Sequence, residues 1–463
     1  MSLDGPKDVE PRIIPRDAHR VSRADISDNA LKVLYRLRKA GYQAYMVGGG
    51  VRDLSLGREP KDFDVATDAR PEEVRGLFRN CRLIGRRFRL AHVHFGPEII
   101  EVATFRAMHD PDQDDLQGDV VYEKGRIVRD NVYGTLSEDA LRRDFTVNSL
   151  YYNIDDFSVV DHAGGMDDLH AGVIRLIGDP HERFQEDPVR MLRAVRFALK
   201  LGFRIHPDTA RPIPELAPTL ADMPAARLFD EVLKLFLSGM ALESFEMLRH
   251  FSLFDPLLPV TSEALKEDGD ESWVPFLAAA LRSTDERVGA DKPVTPAFLF
   301  AALLWPAVRK RERELRAAGE QPAPAIQQAG SEVQSAQQSR IALPKRFSIP
   351  MREIWSLQAR LERRGARRAQ RLMRHPRFRA AYDFLELRAG SGDAPSELVQ
   401  WWRQLQQDSP HSPAAKQQGK SGEENGGATA SADEKEANKP RRGSRRRGKR
   451  GGAKGRSKVS EEG

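Results

Sequence analysis

Hydrophobic spacing divides the chain into two regimes. Up to about residue 163, short apolar runs alternate with amphipathic stretches, and beyond it apolar positions recur at helical spacing. Residues 29–39 place Leu31, Leu34, Tyr35 and Leu37 on one helical face and end at Gly41. Residues 44–47 form an apolar run that reads as a buried strand, and Val51, Leu54 and Leu56 predict a short helix that Gly57 ends. Phe63 and Val65 then alternate with Asp62 and Asp64, a strand pattern. A helix over 71–79 and strands over 90–95 and 99–105 follow. This succession predicts an α+β class, a mixed sheet with helices on one side.

The second regime predicts helices over 186–201, 225–238, 242–254, 273–282 and 296–305, with no second sheet. Residues 309–340 are rich in Gln, Ala and charge, which suits a solvated helix or a flexible linker, with partial helix expected. Residues 349–364 and 377–388 are further helices, the first with Trp355, Leu357 and Leu361 as its apolar face and the second with Phe378, Tyr382, Phe384 and Leu385. Residues 1–24 are polar and contain Pro, so disorder is expected there, and again after about residue 406. The divisions that follow are a head over 25–163, a helical neck over 164–260, a helical body over 261–406 and a tail over 407–463.

Composition narrows the setting. A chain of 463 residues can bury the cores of two or three domains. Its single cysteine, Cys81, excludes an internal disulfide framework and a thiolate-rich zinc site, so a reducing, cytoplasmic setting is expected. No apolar run approaches the length of a membrane span, and the first residues lack the apolar core of a signal peptide. The formal charge of +6 is unevenly spread: residues 439–463 hold eleven Lys or Arg against Glu461 and Glu462, a net +9, which leaves −3 for the rest. Arginines set among glycines with nothing apolar to bury predict a disordered polycation whose partner is a polyanion, bound in a salt-dependent, sequence-tolerant way.

The candidate chemistry begins at Gly48-Gly49-Gly50, between the 44–47 strand and the helix that carries Arg52. Glycines allow a tight turn whose N–H groups approach an anion, and a helix N-terminus adds partial positive charge. No Gly-Lys-Ser or Gly-Lys-Thr follows, so the turn does not match a P-loop. Asp62 and Asp64, two apart on a strand, share one face and repel unless they bind cations. Hard oxygen ligands select Mg²⁺ or Mn²⁺. Two such ions could activate an attacking hydroxyl and stabilise a leaving pyrophosphate, which points to nucleotidyl transfer.

Other residues extend this constellation. Glu101, in an apolar strand, needs a compensating charge, either as a third metal-site carboxylate or through an arginine such as Arg106 or Arg89. Arg142 and Arg143 precede Asp144 and Asn148, and arginine suits phosphate oxygens. Asp144 could complete the metal cluster, bond a ribose hydroxyl or cap the next segment; Asn148 could also reach a ribose. Asp187 and Pro188 read as N-cap and first residue of a helix on which Arg190, Arg193 and Arg196 follow at three-residue steps. That face could read a base edge and grip phosphates, or be a solvated helix face. Arg86, Arg87 and Arg89 form a basic cluster, and His92 and His94 share a strand face where neutral packing is expected.

Taken together, GGGVRD, KDFD, RRDFTVNSL and EDPVRMLRAVRF resemble the bacterial class of template-independent RNA nucleotidyltransferases, which holds poly(A) polymerases and CCA-adding enzymes. The match spans roughly residues 20–260. LPKRFSIPMREIWSLQ, HPRFRAAYDFLELRA and the basic tail look like the poly(A) polymerase I branch and carry the likeness to about residue 405. The resemblance implies a polymerase-β-like head followed by an all-α neck that binds nucleotide and RNA and an all-α body that binds RNA, and transfer of AMP from ATP to an RNA 3′-hydroxyl. By the same resemblance Asp62 and Asp64 carry Mg²⁺, Gly48, Gly49 and Arg52 hold the triphosphate, Asp144 is a further catalytic acid, and Asp187 and Arg190 face the adenine. Either Glu101 or Asp144 is the third carboxylate. A CCA-adding enzyme shares these motifs and is the alternative, against which the tail argues. RNA and ATP are the expected partners, no membrane is, and degradation enzymes and helicases are expected associates.

Overall fold

The computed structural model describes residues 10–85, 89–107, 120–123, 126–130, 132–268 and 270–407. The N-terminal part is built from β1 (Arg12–Ile14), α1 (Asp28–Lys39), β2 (Ala44–Val47), α2 (Gly49–Ser55), β3 (Asp64–Thr67), α3 (Pro71–Leu77), β4 (Cys81–Ile84), β5 (Leu90–Phe95) and β6 (Glu98–Thr104). After these come β7 (Val120–Glu123), β8 (Arg126–Asp130), α4 (Leu136–Arg142), β9 (Leu150–Asn153) and β10 (Val159–Asp161). Eight of the strands make one sheet in the order β1-β10-β9-β2-β3-β6-β5-β4, while β7 and β8 pair with each other. Within the sheet β3 and β6 run parallel and the other pairs antiparallel.

The two faces of the sheet differ. α1, capped by the Ser27 hydroxyl, and α3, started by Pro71, pack on one face and bury Val33, Leu34, Leu37 and Val74 against Met46, Val65, Val93 and Val102. Strand alternation sends Val47, Ala66 and Tyr151 to the opposite face, where they form a smaller cluster with Phe105, Ala140 and Val160. Asp64 alternates with Val65, and Glu101 with Val102, so both acids lie on this second, thinly covered face.

Three expectations need correction here. Residues 12–14, inside the stretch expected to be disordered, pair with β10, an ordering partner nearly 150 positions away that local sequence cannot reveal. β4, β9 and β10 are strands that the spacing did not predict. Leu150, Tyr151 and Tyr152 are all fully buried, so the period-two signal is missing from β9. Beyond the head, β11 (Val173–Ile174) and β12 (Arg204–Ile205) form a small parallel pair where none was expected.

The remainder is helical: α5 (Gly165–Ala171), α6 (Pro180–Glu186) and α7 (Val189–Leu201), then among others Ala225–Phe236, Ala241–His250, Asp270–Gly289 and Pro296–Leu303. The 309–340 stretch is no linker. It falls in two helices, Trp305–Ala317 and Pro322–Gln338, and the second buries Ala325, Ile326, Ala329 and Val333. Gly330 lets this helix approach Lys345–Leu361 so closely that a Cβ there would lie 2.9 Å from the Trp355 ring. Sparse apolar residues suffice because the contact is made by small ones. In the body Asp393 collects Trp305 Nε1 at 2.9 Å, Arg309 Nε at 3.0 Å and the buried Arg388 Nε at 2.7 Å.

Residues up to Trp401 form one compact unit, and of the second, from Trp402 on, the end of the helix Ser396–Gln407 is described. The basic tail, the acid-rich residues 108–119, and Arg86 and Arg87 lie outside the described residues. Among the described residues no helix is long and apolar enough to cross a membrane.

Candidate active site

Gly48 joins β2 to α2 with φ +73°, a conformation that disfavours any side chain, and a Cβ there would also lie 3.5 Å from Arg143 Nη1. α2 starts at Gly49 with no side-chain cap, so its first N–H groups lack intrahelical acceptors and point out of the turn. The strand register then fixes the acids. Asp64 lies between Val47 of β2 and Glu101 of β6, and Glu101 lies between Asp64 and His92 of β5. Asp62 precedes β3 rather than belonging to it and is exposed.

Asp64 and Glu101 line a cleft with Val47, Arg89, Arg106, Asp139 and Arg143. Burial, then the neighbouring Glu101 charge, pushes the Asp64 carboxyl up to about 6, with Arg143 opposing and Asp62 adding. Two carboxylates side by side in a partly desolvated cleft are a charge arrangement left incomplete. His92 is more than a packing residue, since its Nε2 sits 3.1 Å from Glu101 Oε2. Arg106 and Arg89 do not take Glu101: Arg89 bonds Glu72, and Arg106 lies 3.9 Å from Asp139.

Of the two adjacent arginines, Arg143 reaches the cleft. Its Nε donates to Tyr151 Oη at 2.7 Å and its Nη2 to Asp139 Oδ2 at 3.0 Å, and Tyr151 donates to the same carboxylate at 2.6 Å. Arg142 instead donates to the Ala107 carbonyl at 2.6 Å. Burial alone would raise the Asp139 carboxyl, but Arg143, Arg106 and Tyr151 hold it below its ordinary range. Sequence reading missed Asp139 and Tyr151. One signal was available: Thr135 and Glu138 form a capping box at the start of α4, and Asp139 stands one helical turn before Arg143.

Asp144 sits elsewhere. It accepts from Phe145 N at 2.8 Å, Asn148 Nδ2 at 3.1 Å and Arg193 Nε at 2.7 Å. Although burial works against it, Arg193, Asn148 and the Phe145 amide keep its carboxyl low. Asn148 Oδ1 in turn accepts from Arg52 Nη1 at 2.6 Å, Arg52 Nε donates to Asp53 Oδ1 at 2.7 Å, and Lys200 Nζ approaches Asp53 at 3.6 Å. Since Arg193 and Lys200 both stand on α7, these bonds close a ring that clamps the glycine turn's helix to the neck. Arg52 is 2% exposed and engaged at both ends, so it braces the turn. Asp144 is thereby tied to Asn148 and Arg193, and Glu101 is the acid paired in register with Asp64.

The arginine row of α7 is likewise engaged. Arg190 bonds Glu186 at 2.6 Å and the Arg183 carbonyl at 2.8 Å, Arg193 holds Asp144, Arg196 lies 3.5 Å from Glu231, and Asp187 accepts from Arg227 at 2.6 Å. It is therefore neither a free cationic face nor a solvated one. The cap also shifts by one residue: Pro188 takes the N-cap position, and Asp187 ends α6 while its carboxylate accepts from Val189 N at 3.3 Å.

Among the described residues no three His, Cys, Asp or Glu side chains converge into a complete metal cage. Mg²⁺ does not need one, since it is commonly held by one or two carboxylates together with water and substrate phosphates. The uncompensated Asp64–Glu101 pair, with Asp62 nearby, fits such a cation.

Comparison with known proteins gives the family. Family models match as Poly A polymerase head domain over residues 44–175, as probable RNA and SrmB-binding site of polymerase A over 202–265, and as polymerase A arginine-rich C-terminus over 318–449. Poly(A) polymerase I of Salmonella typhimurium is 53% identical over 401 residues, 86% of each chain. The CCA-adding enzyme of Bacillus licheniformis is 38% identical over 223 residues, 48% of this chain and 53% of the relative. The crystal structure of the Bacillus stearothermophilus CCA-adding enzyme in complex with CTP superposes with a TM-score of 0.54 at 26% identity, covering 82% of both chains. Sequence identity to poly(A) polymerases thus runs through most of the chain, whereas that to the CCA-adding relative spans about half, and the chain belongs to the bacterial poly(A) polymerase I family.

Proposed function

We propose that this chain extends RNA 3′ ends with adenylate from ATP, without a template, in the cleft where Asp64 faces Glu101 across β3 and β6. That juxtaposition carries the reading. The RNA 3′-oxygen bonds to the α-phosphorus, the α–β phosphoanhydride bond breaks, pyrophosphate leaves, and the hydroxyl proton passes to solvent or a nearby base. A divalent cation held there, Mg²⁺ or Mn²⁺, singly or as a pair, would supply charge to lower the pKa of the attacking hydroxyl and neutralise the leaving phosphates. Asp62, Asp64 and Glu101 would hold it.

The protein's own groups do the rest. Arg143, fixed by Asp139 and Tyr151, offers a preorganised guanidinium beside the acids, suited to a phosphate oxygen. The amides of Gly49 and Gly50 supply donors for the triphosphate, and Gly48 leaves room for it. Asp144, Asn148, Arg52 and Arg193 set the angle between this turn and the neck, where Asp187 and Arg190 border the nucleotide. We assign 25–163 as head, 164–260 as neck and 261–406 as body. The basic tail adds salt-dependent hold on RNA, and RNA-degradation enzymes and helicases are the partner class that tailed RNA would bring.

Supplying RNA, Mg²⁺ and each nucleotide separately tests the reading. Long extension with ATP alone is expected. Addition that halts after CTP and ATP on trimmed tRNA would replace it with CCA addition, a reading that the half-length match to the CCA-adding relative disfavours.

A further inference from the structure

Between residues 363 and 374 the chain carries six arginines, Arg363, Arg364, Arg367, Arg368, Arg371 and Arg374, with no lysine and no acid. All six are exposed, on the helix Ala366–Met373 or just outside its two ends. None forms an ion pair with another described residue, in contrast to the paired arginines of the neck. The nearest acids are engaged elsewhere: Glu362 with Arg388, Glu353 with Arg377 and Asp383 with Arg379. On the helix Arg367 and Arg371 stand four residues apart and Arg368 and Arg371 three apart, spacings at which like charges destabilise a helix. A folded surface that keeps such repulsion is completed by anions from outside.

The chemistry of this face selects among anionic partners. Its apolar side is already used, since Ala369 and Leu372 are buried and the helix packs on Phe378–Gly390. No hydrophobic wedge remains for a lipid bilayer. The exposed positions other than arginine are Gly365, Ala366 and Gln370, which lack the apolar centre of a protein interface. Arginine in place of lysine favours bidentate contact with phosphate. We propose that this face is a second RNA site, which grips the sugar–phosphate backbone of single-stranded RNA upstream of the 3′ end held in the cleft. The site rests on the reading of RNA as substrate and adds to it a folded contact distinct from both the cleft and the tail.

The test uses the full chain with Arg367, Arg368, Arg371 and Arg374 all replaced by Gln, and a second variant with all four replaced by Lys. Affinity for a 40-nucleotide and an 8-nucleotide single-stranded RNA is measured over a salt series, and tailing of the 8-mer is followed at saturation. Each phosphate contact on a single strand contributes about 0.7 to the slope of log affinity against log salt, so the Gln variant should lose roughly 2 to 3 from that slope on the 40-mer and bind it roughly tenfold more weakly or worse. The Lys variant should keep the slope and lose part of the affinity, and kcat on the 8-mer should match wild type in both. A Gln variant that binds the 40-mer with wild-type affinity and slope overturns the site, as does one that loses a protein partner while its RNA binding is unchanged. Failure of the cleft reading looks different: it is unaltered tailing by Asp64→Asn, whatever the arginine face does.

Discussion

Asp64 and Asp144 are both partly buried aspartates within the head, yet their surroundings push them in opposite directions. Asp64 faces another carboxylate across neighbouring strands and is raised to about 6, whereas Asp144 is enclosed by Arg193, Asn148 and a backbone amide and is held low. One environment is missing a positive charge and the other is complete. The contrast separates two jobs that the sequence presents as one string of acids and arginines: an electrostatically open site receives a ligand, and a closed one fixes geometry.

The largest expected effects come from the open side. Asp64→Asn should lower the tailing rate by about 10³-fold or more, equivalent to about 4 kcal/mol of transition-state stabilisation, while RNA binding is largely retained. Asp62→Asn should act in the same direction. A primer-extension assay with ATP over a Mg²⁺ series decides it. Near-wild-type tailing by Asp64→Asn would break the comparison at its first step.

On the closed side the main expected loss is stability. Asp144→Asn strands Arg193, whose side chain is 31% exposed. The cost should be about 2 kcal/mol, below that of a fully buried pair because solvent still reaches the guanidinium. Thermal melts of Asp144→Asn, Arg193→Gln and the double variant give the coupling. If the double variant is no more stable than the sum of its parents predicts, the two residues act independently and the clamp does not exist.

Asp64 also makes a pH prediction of opposite sign to ordinary acid denaturation. Its folded pKa, about 6, lies above the ordinary 3.8, so the folded state holds this proton more tightly than the unfolded chain. Between about pH 4 and 6 its contribution to stability therefore falls as pH rises, reaching a penalty of about 3 kcal/mol above pH 6 in the absence of divalent cation. Asp64→Asn should remove that penalty and melt higher than wild type at pH 7.5 in chelator, and added Mg²⁺ should raise the wild-type melt but not the variant's. Activity should rise with pH through about 6, or lower with Mg²⁺ present. A variant less stable than wild type in chelator would mean that Asp64 is a paired structural acid like Asp144.

How far sequence could see follows the same division. The glycine turn, Asp64, Glu101 and the α1–β2–α2–β3 succession were legible because each is local: a φ that suits glycine, an acid in an apolar strand, a helix ended by Gly57. The clamp was not. Arg52, the Asp144–Asn148 segment and Arg193 come from three stretches of chain, and which cation takes which acid depends on how α7 lies against the head. Spacing placed Arg190, Arg193 and Arg196 on one helix correctly but could not show that Glu186, Asp144 and Glu231 neutralise them. β9 hid for a related reason, as a strand buried on both faces has no alternation to read. Helix Pro322–Gln338 was legible only in part because half of its buried residues are small, Ala325, Ala329 and Gly330, which carry little apolar signal.

Glu186 provides the smallest and sharpest check on the closed side. Its carboxylate takes both Arg183 and Arg190 at 2.6 Å, and these two with Arg142 hold it below its ordinary range although burial opposes them. Arg183 also donates to the carbonyls of Arg142 and Arg143, so the pair links α6 and α7 to the segment that carries the cleft's guanidinium. Glu186→Gln keeps the shape and one acceptor oxygen but removes the charge. Because the carboxylate is 28% exposed, the expected cost is below about 1 kcal/mol in a thermal melt. Its kinetic effect should fall on KM for ATP more than on kcat, since it loosens the mounting of the cleft without touching the acids that face the reacting phosphate. A variant with normal KM and reduced kcat would place Glu186 with Asp64 rather than with Asp144, and the boundary between the two regions would have to be redrawn through the neck.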